Sequence, residues 1–121
     1  MRTTEIQGFL GNNQLQYLST IIRKRQQNFM TIAKSIYART DLYYPLRYDH
    51  IDVVSNFAVP VICRSQKIRD ALVALCNGNV EIRPVVGGDM TQQPFFSKYI
   101  KRHAYAKIIN AQIAHEQGLY F

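Results

Sequence analysis

An α+β domain is what this 121-residue sequence predicts: a long N-terminal helix, then a small sheet of two or three strands with helices packed on one face. Three observations predict it. Apolar residues recur three and four apart between Leu15 and Ile36, the repeat of one helix face. Two short β-branched runs, SNFAVPVIC at 55–63 and the stretch from Val80 to Val85, are too short for buried helices. The helical stretch at 66–76 lies between them with tight links on both sides, which makes a strand–helix–strand unit of the βαβ type.

Element by element, TEIQGFL reads as a short helix with Thr3 or Thr4 as N-cap and Glu5 near its positive end. Gly11-Asn12-Asn13 then breaks the chain, because Gly and Asn tolerate left-handed backbone angles. The long helix follows over about 13–38, with Leu15, Leu18, Ile22, Phe29, Ile32 and Ile36 on one stripe interrupted by Arg25. The pattern is lost over 40–54, where a proline, three tyrosines and mixed charge mark a connecting loop. Strand 55–63 contains Pro60, which places it at an edge or a bulge. Helix 66–76 puts Ile68, Leu72 and Leu75 on one side and stops at Asn77-Gly78-Asn79. After strand 80–85, a last helix at 104–116 turns Ala104, Ile108 or Ile109, and Ile113 inward and stops at Gly118. Leu119-Tyr120-Phe121 is a further apolar segment. The whole is one domain over 1–121, divided into a helical segment 1–39, a connecting loop 40–54 and a small α/β lid subdomain 55–121.

Composition narrows the function classes. With 47% apolar and 19% charged residues the balance is that of a globular chain, long enough to bury a core without a disulfide staple. No apolar run approaches the ~20 residues that cross a bilayer, and Met1 leads into polar residues without a signal-like apolar stretch, so no membrane partner and a cytoplasmic location are expected. Cys63 and Cys76 form no metal-ligand spacing and read as buried thiols. The net charge of +7 admits either a polyanion-binding surface or a solvated basic face. Only Arg23-Lys24-Arg25 and Lys98-Lys101-Arg102 cluster, and neither is interleaved with stacking aromatics, which favours the solvated face over a nucleic-acid partner.

The stretch VEIRPVVGGDMTQQPFF carries the most chemistry. A strand delivers Arg83 to Pro84, and the Gly87-Gly88 pair beyond it lets backbone approach a ligand that a Cβ would repel. Alternation sets Glu81 and Arg83 on one face, leaving two readings: a surface ion pair, or an arginine presented to an anion. Gly87-Gly88-Asp89 lacks the further glycine and the lysine of a phosphate loop, and a tight turn explains it equally. His50, His103 and His115 have no Ser or Cys partner and read as exposed or capping residues. All six lysines (Lys24, Lys34, Lys67, Lys98, Lys101, Lys107) have a surface-helix context, so none has the desolvated setting of a Schiff-base nucleophile.

MRTTEIQGFLGNNQLQYL, with Arg2, Thr4, Glu5, Ile6, Gln7, Gly11, Gln14 and Leu15 in order, resembles the segment after the lysine-bearing loop in DegT/StrS-type nucleotide-sugar aminotransferases. The strand SNFAVPVIC, the helix from near Arg69 to Leu75, the EIRP strand, GGDMTQQPFF and NAQIAHEQGLYF resemble that family's later pieces in the same sequence order. The resemblance covers essentially the whole chain. It implies the small domain of a fold type I pyridoxal-phosphate enzyme, cut at both ends, from a parent that transaminates a nucleotide sugar for polysaccharide or antigen biosynthesis. The cofactor would belong to the full-length parent, with none bound by this chain, and the isolated chain would be inactive.

Residue by residue, the resemblance implies that Arg2 and Thr3 lie at a subunit interface beside the partner's cofactor site, in a homodimer. It implies that Arg83, Gly87, Gly88, Asp89 and Met90 face the sugar nucleotide, with Gln93 and Pro94 shaping their loop. A guanidinium suits diphosphate or sugar oxygens because its fork donates two parallel hydrogen bonds. No residue here is assigned a catalytic or metal-binding role. Alternatives from the same residues are a sugar 3-dehydratase of the same family, a basic polyanion-binding module, and a dimerisation module built on the long helix.

Overall fold

The computed structural model describes residues 4–100 and 108–121. Arg2, Thr3, Lys101, Arg102, His103, Ala104 and Lys107, on which several expectations fall, lie outside the described residues. Two helices open the chain, α1 (Glu5–Leu15) and α2 (Leu18–Tyr37). Thr4 is the N-cap of α1: its hydroxyl accepts from the Gln7 amide while the Gln7 side chain accepts from the Thr4 amide at 2.8 Å, a reciprocal capping box. Gly11-Asn12-Asn13 does not break the helix as expected. No non-glycine residue among those described adopts positive φ, and α1 runs on to Leu15. The joint falls at Gln16-Tyr17, where Tyr17 leaves the helical ladder and its carbonyl starts α2 by accepting from Ile21.

Beyond α2 come β1 (Tyr43–Tyr44), β2 (Pro60–Cys63), α3 (Gln66–Cys76) and β3 (Arg83–Pro84). A 3₁₀ turn at Met90–Gln92, α4 (Pro94–Tyr99), α5 (Ile109–Gln117) and β4 (Gly118–Tyr120) complete the described elements. The sheet has four strands in the order β1-β2-β4-β3, every pair antiparallel. Two of these strands correct the sequence reading. The segment expected as a loop over 40–54 contributes β1, and Gly118 with Leu119 and Tyr120 of the C-terminal apolar segment forms the strand β4 between β2 and β3. Because β2 and β3 each pair antiparallel with β4, they run parallel to each other. The expected βαβ unit is therefore present, with α3 as its connection, but split by a third strand.

Pro60 predicts an edge or a bulge, yet β2 has a neighbour on both sides. Register explains the difference. Val59 and Phe121 exchange both backbone hydrogen bonds, so the next residue, Pro60, points its missing donor away from β4. On that side β1 has ended, since its last pair is Tyr44 with Ile62. The Pro60 carbonyl accepts instead from the Tyr37 hydroxyl at 2.8 Å. The ring thus occupies a locally open edge within an inner strand.

The core gathers where α2 crosses the sheet. Phe29, Ala33, Val54 and Val59 form one buried cluster, with Ile32, Tyr37, Tyr48 and Phe121 packed against it. Val61, Cys63 and Leu119 are also buried. Phe29 meets the Tyr48 ring edge-on at 5.1 Å. Ile62, which alternation turns to the other face of β2, shares a groove with Tyr44 and with Asn110 and Ile113 of α5, so helices approach the sheet from both faces rather than one.

Periodicity overstates the buried surface at three places. Leu15 and Leu18 are exposed, and the α2 stripe turns inward only from Ile22. In α3, Leu75 is exposed and Cys76 takes its place beside Ile68 and Leu72. In α5, Ile108 and Ile109 are exposed while Ile113 is partly buried. Cys63 is fully enclosed, and burial raises its thiol pKa. Cys76 is only half-buried, contrary to expectation. Among the described residues no helix is long and apolar enough to cross a membrane.

Candidate functional site

The loop between β3 and α4 is shaped by two consecutive left-handed glycines, Gly87 at φ 78° and Gly88 at φ 51°. Immediately after this bend, Asp89 is buried and serves as N-cap of the 3₁₀ turn. One carboxylate oxygen accepts from the Thr91 amide at 3.0 Å and its hydroxyl at 2.7 Å, and the other accepts from Gln92 Nε2 at 3.1 Å. The Thr91 and Gln92 side chains, in that order, hold the Asp89 carboxyl below its ordinary pKa, with a smaller contribution from nearby His115. Gln93 Nε2 reaches back to the Gly87 carbonyl at 3.4 Å, and Pro94 opens α4 as its first residue. Met90 stands exposed on the loop surface.

Gly88 also meets α5. A Cβ there would press into the His115 imidazole, within 2.9 Å of Cε1 and 3.0 Å of Cγ. His115 is exposed, as expected, but it is also the side chain against which this loop rests. The sequence carried no hint of that contact, because 27 positions separate the two residues in the chain.

Arg83 lies on β3 directly opposite Tyr120 in the register. Its Nε and Nη2 donate to a single oxygen of Glu81, at 2.8 and 2.6 Å, and both side chains are exposed. Glu81 and then Tyr120 raise the guanidinium pKa. Arg83 is thus a surface ion partner of Glu81, and it borders a recess of about 310 Å³ with Phe57, Ala58, Glu81, Tyr120 and Phe121. Phe57 is 81% exposed and meets the Tyr120 ring edge-on at 5.8 Å. None of Gly87–Met90 lines this recess, so the structure divides the candidate residues into an arginine recess and a glycine loop along one continuous stretch. Phe57 and Tyr120 were missed as site residues. The only signal for them was the placement of aromatics at the two apolar runs that pair as β2 and β4.

The described lysines, Lys24, Lys34, Lys67 and Lys98, all have exposed side chains, and none is enclosed beside a carboxylate. These residues do not fit a Schiff-base site for pyridoxal phosphate, and the buried carboxylate of Asp89 is already committed to its own loop. Among the described residues no group of three or more His, Cys, Asp or Glu could hold a metal ion. Arg23, Lys24 and Arg25 are exposed together on α2.

Comparison with curated proteins and with solved structures yields no match. The family model described as the DegT/DnrJ/EryC1/StrS aminotransferase family matches residues 1–120, which takes in the capped first helix, the split βαβ unit, the arginine strand and the glycine loop. The chain belongs to the DegT/DnrJ/EryC1/StrS aminotransferase family.

Proposed function

We propose that this chain is the small-domain part of a pyridoxal-phosphate-dependent nucleotide-sugar aminotransferase, and that it covers the sugar nucleotide from one side. Family membership supports a pyridoxal-dependent, aminotransferase-like function. The observation that carries the finer reading is the run from Arg83 to Met90. It sets an exposed guanidinium, two left-handed glycines and an exposed Met90 in succession along one edge of the sheet. The guanidinium offers paired donors to phosphate or sugar oxygens, and the glycines admit close backbone approach. The cofactor supplies the chemistry that moves the amino group, and its lysine would come from polypeptide other than the described residues of this chain.

A second copy is the proposed partner. Ile6, Phe9, Leu10, Leu15, Tyr17 and Leu18 form an exposed apolar arm on α1 and the start of α2, with none of the α1 residues buried. Exposed apolar area of this kind is the mark of an interaction surface. Light scattering across a concentration series tests the pairing.

The functional test is a titration of the 121-residue chain with nucleotide sugars, followed by amide NMR, together with a transamination assay at saturating pyridoxal phosphate. The expected result is shifts along Arg83–Met90 without turnover and without the cofactor's visible absorbance. Turnover by the chain alone, or nucleotide sugars that leave Arg83–Met90 unperturbed, would overturn the reading.

A further inference from the structure

We infer that His115 is a proton-dependent latch: its imidazolium form holds the glycine loop, residues 87–93, against α5, and its neutral form loosens it. The inference concerns how the loop is attached and does not depend on what the loop binds. The first observation is contact. The His115 ring lies over the face of Gly88 where a side chain would stand, and its Nδ1 is the atom nearest that position. Gly88 has a left-handed φ of 51° and follows Gly87 at 78°, so the loop meets α5 with bare backbone.

The second observation is charge. Asp89, next in the chain, is buried, and its carboxylate accepts from the Thr91 amide and hydroxyl and from Gln92 Nε2. These partners, the Thr91 and Gln92 side chains first, hold its carboxyl below the ordinary range. It is therefore an anion throughout about pH 5 to 8, where an imidazole ordinarily changes charge. Nearby His115 contributes to that lowering, and the attraction is mutual: the docked carboxylate favours the imidazolium as the imidazolium favours the carboxylate. His115 also stands in the last turn of α5, where free carbonyls favour a cation. The elements packed chiefly against α5 are β2, α3 and β4. Their ionisable groups are Cys63 on β2, Lys67, Arg69, Asp70 and Cys76 on α3, and Tyr120 on β4. Asp70 pairs with Arg69, and Glu116, beside His115 in α5, accepts from Gln112. Among the described residues neither acid forms an ion pair with His115, which leaves Asp89 as the anion acting on it from the loop. Docking of the loop is firmest while the imidazole is protonated and weakens as pH rises through its titration.

The test is amide hydrogen exchange of the 121-residue chain, followed by NMR between about pH 5 and 8 and corrected for intrinsic rates. The probes are the amides of Thr91, Gln92 and Gln93, which donate to Asp89 Oδ1 and to the Asp89 and Met90 carbonyls. Their protection should fall about threefold, the scale of a partly shielded charge pair, with the midpoint of the His115 ring protons. His115→Gln should flatten the profile at the high-pH level while keeping a side chain over Gly88. His115→Lys should flatten it at the low-pH level, because its charge does not titrate in this range. Asp89→Asn, which removes the charge from the other side, should flatten it as well, with the amides of α2 reporting that each variant is folded. A profile that is flat in the parent chain overturns the latch. So does a profile that survives in His115→Gln, or one whose midpoint follows His50, which lies beside Asp49.

Discussion

Replacing Gly118 by Ala tests the point where α5 turns into β4. The residue has an ordinary φ of −87°, so its need for glycine is spatial rather than conformational. A Cβ there would press into the Ala114 carbonyl oxygen, sit 2.7 Å from Val85 Cγ2 and 3.2 Å from the Ala114 carbonyl carbon. Of these obstacles the Val85 methyl can rotate away, but the Ala114 carbonyl belongs to the last turn of α5 and cannot. Relief therefore requires helix and strand to separate at a buried junction. Overpacking of this kind costs about 1–3 kcal/mol, and a backbone obstacle places the cost at the upper end. The smaller unfolded-state entropy of Ala returns about 0.4–1 kcal/mol. The expected net loss is about 2 kcal/mol. Urea denaturation followed by circular dichroism measures it, with the Val85→Ala background recovering only a minor part. A Gly118→Ala chain as stable as the parent would refute the close approach on which the placement of β4 depends.

Three further outcomes follow from particular contacts. Gly88→Ala should lose about 1–2 kcal/mol from its left-handed backbone alone, plus a term from the displaced His115 ring. In a double-mutant cycle His115→Ala should remove only that second term, and strict additivity would mean the loop does not rest on α5. Burial, and to a lesser degree Tyr48, raise the Tyr37 phenol from 10.0 to about 12. A raised folded-state pKa gives stability that is complete below the ordinary value and is lost as pH climbs through the folded one. Unfolding free energy should therefore fall between pH 10.0 and about 12, measured by denaturant melts. Tyr37→Phe should reduce that slope, leaving the part due to Tyr43, whose phenol pKa is also raised by burial, at a cost of about 1 kcal/mol for the bond to Pro60. With a thiol reagent Cys76 should react in the native state and Cys63 only on unfolding; equal native rates would contradict the enclosed position of Cys63.

What the sequence by itself determined is local. The helix over Gln66–Cys76 lies where its repeat puts it, and Gly78 closes it with φ 77°, because cap and turn chemistry act within a few residues. The N-cap, read as Thr3 or Thr4 and found at Thr4, and the tight loop at Gly87-Gly88 were legible for the same reason, as was the resemblance that the family match bears out. Only the tertiary structure decided that Gly118–Tyr120 is an inner strand, that Tyr43–Tyr44 is an edge strand, and that Phe57, Tyr120 and Arg83 share one recess. Strands of two and three residues show no period of their own. Their backbone groups are satisfied by partners tens of positions away, as Tyr44 is by Ile62 and Leu119 by Val61. Helical periodicity likewise marked which residues of α2 share a face. Whether that face is covered, as at Phe29, or left in solvent, as at Leu15, depends on what the folded chain brings beside it.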